Sequence, residues 1–110
     1  MEKFVKGDVV VVPFPFSDLT EAKRRPALVL AELDGVDVIL CQIASRQFRD
    51  GYAVPLNESD FEEGYLQKIS NIRPNRIFTA DGKIILYKTG RIKSAKIDEV
   101  LKKIIDILTN

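Results

Sequence analysis

The apolar positions of the chain fall first into short extended runs. Val9-Val10-Val11-Val12 follows Gly7-Asp8, and four consecutive β-branched residues predict a strand buried on both faces. Pro13-Phe14-Pro15-Phe16 is expected to end it, because proline lacks the N–H that a ladder interior needs. Ser17 to Lys23 is polar and reads as a loop, and Pro26 to Ala31 reads as a second apolar strand. Leu33-Asp34-Gly35-Val36 carries a tight-turn signal, and Val36 to Ile43 makes the return strand. Ala44 to Gly51 is a second polar loop, and Tyr52 to Leu56 a short strand. Asn57 to Gly64 is acidic and turn-rich, and Leu66 to Ile72 and Arg76 to Ala80 are further extended stretches. Asp81-Gly82 is either another hairpin turn or the exit into a short helix.

The period changes towards the C-terminus. Ile97, Val100, Leu101, Ile104, Ile105 and Leu108 recur at helical spacing, with Ser94 as N-cap and Glu99 and Lys103 at i,i+4 on another face. That stripe is expected to pack against the sheet. The pattern predicts a mainly β fold of about five or six short strands with a C-terminal α-helix, as a small barrel or a strongly curled sheet.

Composition narrows the chemistry. With 110 residues, residues 1–110 read as a single domain with one modest core. Apolar residues make up 45% of the chain and recur along its length, which argues against disorder. The longest apolar runs, Val9 to Phe14 and Pro26 to Ala31, are too short to span a bilayer. Met1-Glu2-Lys3-Phe4 lacks the pattern of a signal peptide, so a cytoplasmic location without membrane association is expected. One cysteine, Cys41, excludes an internal disulfide; its apolar setting reads as a small buried hydrophobe. There is no histidine, so no Ser/His, Cys/His or His–metal site exists, and no metal is expected. A net charge of +1 excludes a body that coats nucleic acid by charge alone, but not a local basic patch.

Three segments concentrate candidate chemistry. In Lys23-Arg24-Arg25-Pro26, alternation sends the two arginines to opposite faces, and Pro26 biases Arg25 towards an extended conformation. A guanidinium so aimed suits a phosphate; by charge alone the segment also reads as a solvated basic turn. Gln42 to Arg49 mixes Ser45, Arg46, Gln47, Phe48 and Arg49, which suits phosphate contact plus base stacking and equally suits a polar surface loop. Ser70-Asn71-Ile72-Arg73-Pro74-Asn75-Arg76 repeats an Arg-Pro step, and also reads as a strand-end turn.

In order, these segments resemble the MazF/PemK family of toxins of type II toxin–antitoxin systems. The residues that carry the resemblance are Lys6-Gly7-Asp8-Val9-Val10, Pro13-Phe14-Pro15-Phe16-Ser17-Asp18-Leu19 and Lys23-Arg24-Arg25-Pro26-Ala27-Leu28-Val29-Leu30. Ile43-Ala44-Ser45-Arg46, Ser70-Asn71-Ile72-Arg73, Ile77-Phe78-Thr79 and Gly90-Arg91-Ile92 extend it along nearly the whole chain. The Pro-Phe-Pro-Phe-Ser-Asp form is similar to one subgroup of the family.

The resemblance implies an SH3-like barrel, normally a homodimer. It implies an endoribonuclease that needs neither metal nor cofactor and cuts single-stranded mRNA. The substrate's 2′-hydroxyl attacks the adjacent phosphate, leaving 2′,3′-cyclic phosphate and 5′-hydroxyl ends. A cognate antitoxin peptide blocks the RNA groove, and DNA binding comes through the antitoxin complex. The family's central arginine falls on Arg25, with Ser45 and Arg73 as further catalytic candidates. Phe16, Lys23, Arg24, Arg46, Gln47 and Asn75 are the candidate RNA contacts. The sequence departs from the family at Ala44, where a Thr is expected, and at Asn75, where one branch has Asp; that branch's histidine has no counterpart. These departures favour an alternative, a catalytically degenerate barrel that binds RNA or a protein without cutting. A third alternative, a toxin acting on DNA gyrase, fits less well, because Arg24-Arg25-Pro26 matches the RNase branch.

Overall fold

The computed structural model describes residues 3–14, 23–45 and 50–110. Among these, seven strands form one antiparallel sheet: β1 (Asp8–Phe14), β2 (Lys23–Glu32), β3 (Asp37–Ala44), β4 (Val54–Leu56), β5 (Phe61–Gly64), β6 (Ser70–Asp81) and β7 (Tyr87–Ile92). The helix α1 (Ser94–Thr109) follows. The spatial order is β4-β6-β3-β2-β1-β7-β5.

That order forces the sheet to curl. β4 and β5 stand at opposite edges, yet only residues 57–60 join them. Six inter-strand spacings laid flat would cover roughly 29 Å. The chain from Leu56 to Phe61 reaches at most about 18 Å. The edges must therefore approach one another, which turns the sheet into the small barrel-like shape that the pattern of short strands predicts.

Alternation splits the core between the two faces. Val9, Leu28, Leu30, Cys41, Ile43, Ile72 and Ile92 pack together on one face, joined by Val100 of α1. Val10, Val12, Ala27, Val29, Leu40 and Ile85 pack on the other, with Phe4 and Phe78 against them. Val9 to Val12 are all buried, as the run of β-branched residues predicts. On α1, Ile97, Val100, Leu101 and Ile104 pack on the first core. Ile105 and Leu108, expected in the same stripe, are 58% and 75% exposed. Ile105 lies at the margin of the stripe, and Leu108 is in the last turn, one turn beyond Ile104.

Several local expectations change. β1 runs through Pro13 rather than ending before it, with Pro13 opposite Arg24. β7 pairs with β1 only as far as Val11, so the missing N–H of Pro13 breaks no bond to β7. The acidic stretch contains a strand, Phe61–Gly64, and Tyr87–Ile92 is a further strand; periodicity hides both because their partner strands, not their own apolar content, hold them. Asp81-Gly82 leads into a 3-10 turn, Gly82–Ile84, with the Asp81 carboxylate accepting from Lys83 N at 2.8 Å. Lys93, not Ser94, occupies the N-cap position of α1, without a side-chain cap. No helix among the described residues is long and apolar enough to cross a membrane.

Replacing Leu28, fully buried in the first core, by alanine should cost about 2–5 kcal/mol. Ile69→Ala, at a position 82% exposed, should stay within about 0.5 kcal/mol. Urea denaturation at one protein concentration measures both.

Candidate functional site

The end of the β2–β3 ladder opens into a cleft of about 490 Å³. Arg24, Arg25 and Pro26 line it from β2, Val11 from β1, and Ile43 and Ser45 from the end of β3. The segment Tyr65-Leu66-Gln67-Lys68 together with Ser70 lines another side, and Tyr87 and Thr89 come from β7.

The pairing fixes where the two arginines stand on β2. Arg25 stands opposite Val12, Arg24 opposite Pro13 and Pro26 opposite Val11. By alternation Arg24 and Pro26 share the face of Leu28, while Arg25 shares the face of Ala27. Ala27 and Gln42 are the last pair of the β2–β3 ladder on this side. Arg25 and Ala44 are the residues two further along each strand, so they share that second face. Ser45 follows β3 in a bend, is exposed, and reaches the cleft that Arg24 lines. Arg24 is exposed and Arg25 half-buried. The cleft is thus lined by Arg24 and Arg25 together with the hydroxyl-bearing residues Ser45, Ser70 and Thr89.

Arg73 is placed differently. It is 3% exposed and does not line the cleft. Its Nη1 donates to Asp50 Oδ1 at 3.2 Å, and its Nη2 donates to Asp50 Oδ2. Asp50 Oδ1 also accepts from Tyr52 N at 3.0 Å. This bidentate pair ties β6 to the chain just beyond residues 46–49. The β3–β6 register jumps here: Cys41 pairs with Ile77 and Ile43 with Ile72, leaving Arg73 to Arg76 bulged. The Arg-Pro step does interrupt the strand, but inside one continuous β6. Cys41 Sγ donates to the bulged Arg73 carbonyl at 2.9 Å, and burial pushes its thiol up to about 12. The thiol is therefore a poor nucleophile and a structural donor.

Of the other candidates, Lys23 lies exposed at the start of β2, and Asn75 lies exposed on β6 within the bulge; neither lines the cleft. Phe16, Arg46 and Gln47, and the Pro15-to-Leu19 part of the motif, lie outside the described residues. Sequence reasoning missed Tyr65, Gln67, Lys68, Tyr87 and Thr89. Their only signal was polar and aromatic character in stretches with no apolar period.

A second ionic cluster surrounds Asp8. Asp8, 2% exposed, accepts from Val5 N at 2.9 Å and has Lys88 and Arg91 at 3.5 and 3.6 Å. Lys88 also pairs with Glu63, whose hydrogen bond raises the lysine and lowers the carboxyl from their ordinary values. The cluster clamps β1, β5 and β7 together. The Lys6-Gly7-Asp8 step thereby has a structural role.

The chain matches the family model described as PemK-like, MazF-like toxin of type II toxin-antitoxin system over residues 5–108. Among solved structures it is similar to MazF (Form-I) from Deinococcus radiodurans, with a TM-score of 0.78 and 19% identity over 100% of both chains. It is similar to a chain of the MazE-MazF complex (Form-III) from Deinococcus radiodurans, at TM-score 0.77 and 20% identity, covering 96% of each. It is also similar to an endoribonuclease in complex with its cognate antitoxin from a Mycobacterial species, at TM-score 0.77 and 13% identity, covering 97% of this chain and 96% of that one. At these identities the likeness establishes a shared fold. No curated protein matches the sequence.

The Arg73 guanidinium holds the Asp50 carboxyl at about 2, against an ordinary 3.8. A carboxyl depressed on folding contributes stability above its unfolded value and loses it as pH falls through the folded one. The stability gap between wild type and Asp50→Asn should thus be constant above pH 3.8 and close towards pH 2, as read from urea midpoints across pH 2–6.

Proposed function

We propose that this chain, which belongs to the PemK-like, MazF-like toxin family of type II toxin–antitoxin systems, is a cytoplasmic endoribonuclease that cuts single-stranded mRNA without metal or cofactor. The observation that carries the reading is the convergence of Arg24, Arg25 and Ser45 on one cleft. A chain without histidine is suited to this reaction, because the RNA supplies its own nucleophile. The 2′-oxygen attacks the neighbouring phosphorus and the 5′-oxygen of the next nucleotide leaves. The products are a 2′,3′-cyclic phosphate and a 5′-hydroxyl.

What the protein supplies is charge stabilisation and position. A guanidinium is a poor proton acceptor, so Arg25 acts on the developing phosphoryl charge rather than as the base. Its half-buried setting strengthens that interaction relative to water. Ser45 supplies a hydroxyl from the neighbouring face, in place of the threonine that Ala44 lacks. Arg24 and Lys23 draw the flanking phosphates, with Phe16, Arg46, Gln47 and Asn75 as the remaining RNA contacts. Arg73 serves the site through Asp50, by anchoring the chain beyond residues 46–49.

The partner of the toxin is a cognate antitoxin whose peptide covers this cleft. The complexes of related folds with an antitoxin support that assignment. A homodimer follows from the family, and the exposed Ile105 and Leu108 of α1 support a second copy against that face. A second reading, a barrel that binds RNA without cutting, draws on Ala44; RNA retention without a cyclic-phosphate product would favour it.

Arg25→Ala should lower kcat by about 10²–10³ while the far-ultraviolet circular dichroism stays unchanged. Wild type should cut varied single-stranded RNAs in EDTA. A single 2′-deoxy nucleotide at the cut position should abolish that cut. Intact RNA after incubation with folded, antitoxin-free protein would sink the enzyme reading.

A further inference from the structure

We propose that Tyr65 and Tyr87 form an aromatic wall on which the bases flanking the cleaved phosphate stack; this rests on the endoribonuclease reading above. Both residues line the cleft that holds Arg24, Arg25 and Ser45. They are 59% and 49% exposed, so their rings are not spent on either core.

Two local irregularities bring them there. The first is a β-bulge. Val9 pairs with Gly90 but Val10 pairs with Lys88, so Thr89 is an extra residue on β7. Without it, alternation from the buried Ile92 would turn Tyr87 to the opposite side of the sheet. With it, Tyr87 stands beside Val11, and Val11 stands beside Pro26. Tyr87 therefore shares the face of Pro26, two strand spacings or roughly 10 Å away, and of Arg24 two residues further along β2.

The second is a close crossing of glycines. Gly64 pairs with Gly90 and has φ +73°. A Cβ on Gly64 would collide with the Thr89 carbonyl oxygen and the Gly90 Cα. A Cβ on Gly90 would come within 2.8 Å of the Glu63 carbonyl oxygen. The chain leaving β5 thus lies directly on β7, and Thr89 Oγ1 donates to the Tyr65 carbonyl at 3.1 Å. That bond fixes the backbone of Tyr65 beside the bulge that sets Tyr87.

The chemistry of the wall selects its ligand. Two exposed aromatic rings beside two guanidinium groups suit a flexible polyanion with free π-faces, which is single-stranded nucleic acid. Duplex RNA keeps its bases stacked on one another and cannot present them. Gln67 lines the same cleft and carries an amide suited to base edges, whereas the Ser70 and Thr89 hydroxyls donate to the Lys68 and Tyr65 carbonyls. The wall grips ground state and transition state alike, so it sets KM, whereas Arg25 sets kcat.

The chain has no tryptophan and three tyrosines, Tyr52, Tyr65 and Tyr87, so its own emission reports the wall. In a Tyr52→Phe background, the test is titration with a short single-stranded RNA whose cut position carries a 2′-deoxy nucleotide. Tyrosine emission should be quenched on binding. Tyr65→Leu and Tyr87→Leu should each weaken binding roughly 5- to 150-fold and raise KM on cleavable RNA with little change in kcat. Tyr65→Phe and Tyr87→Phe should restore affinity. An abasic site next to the cut should weaken wild type but not the leucine variants.

Wild-type cleavage with leucine variants that match it in KM and affinity overturns the wall and leaves the enzyme reading standing. Leucine variants that keep RNA affinity but no longer bind an antitoxin peptide reassign the wall to the protein partner. Wild type that neither binds nor cuts RNA overturns both proposals together.

Discussion

The structure is organised around β1, whose valines are buried on alternate sides of the sheet. Val9 belongs to the core that α1 closes, and Val10 and Val12 belong to the opposite core. Burying a β-branched run on both faces gives the sheet two registers to satisfy at once. A slip by one residue would exchange the two cores and send every side chain of β1 to the wrong face. β1 also lies between β2 and β7, so both of those strands take their positions from it. The placement of Arg24, Arg25 and Tyr87 is thus a consequence of where the valines go. The candidate cleft lies at the polar continuation of the same ladder.

Two buried charges show how the sheet is held once that register is set. Arg73 lies almost entirely out of solvent, with its guanidinium against the Asp50 carboxylate. Removing such an ion from water is costly unless the partner is close and hydrogen-bonded, which the bidentate geometry provides. Asp8 makes the mirror case at the other end, a buried carboxylate between Lys88 and Arg91. The first ties β6 to the chain before β4 and the second joins β1 to β7, and none of these residues lines the cleft. An arginine at a strand end is easily taken for a phosphate ligand. Here the immersed arginine is a strut, and the half-exposed one is the candidate for chemistry.

The cleft itself depends on departures from regular β-structure. The Arg73–Arg76 bulge in β6, the bend at Ser45, the extra residue at Thr89 and the Gly64–Gly90 crossing each displace a side chain or a backbone from the regular pleat. A perfectly regular β7 would place Tyr87 on the face opposite Arg24 and Pro26. Regular pairing builds the cores, and its interruptions build the site.

Much of this was legible in the residues alone. The valine run, the Pro26–Ala31 strand, the hairpin at Asp34-Gly35 and the C-terminal helix are local patterns, because burial imposes a period of two or of about three and a half on consecutive residues. The resemblance carried by Lys23-Arg24-Arg25-Pro26 and its neighbours pointed to the family that the match over residues 5–108 establishes. The strands Phe61–Gly64 and Tyr87–Ile92 were not legible, nor was the exposure of Ile105 and Leu108. A short strand with a polar exterior is held by its neighbours' hydrogen bonds, which leave no period of their own. The sequence by itself therefore determined the apolar runs of the central strands, the helix, and the basic step at the end of β2. Only the tertiary structure decided that Arg73 is a buried strut, that Ser45 joins the arginines, and that two tyrosines complete the cleft. Register, bulges and ion pairing are settled between segments far apart in the chain, and no local pattern records them.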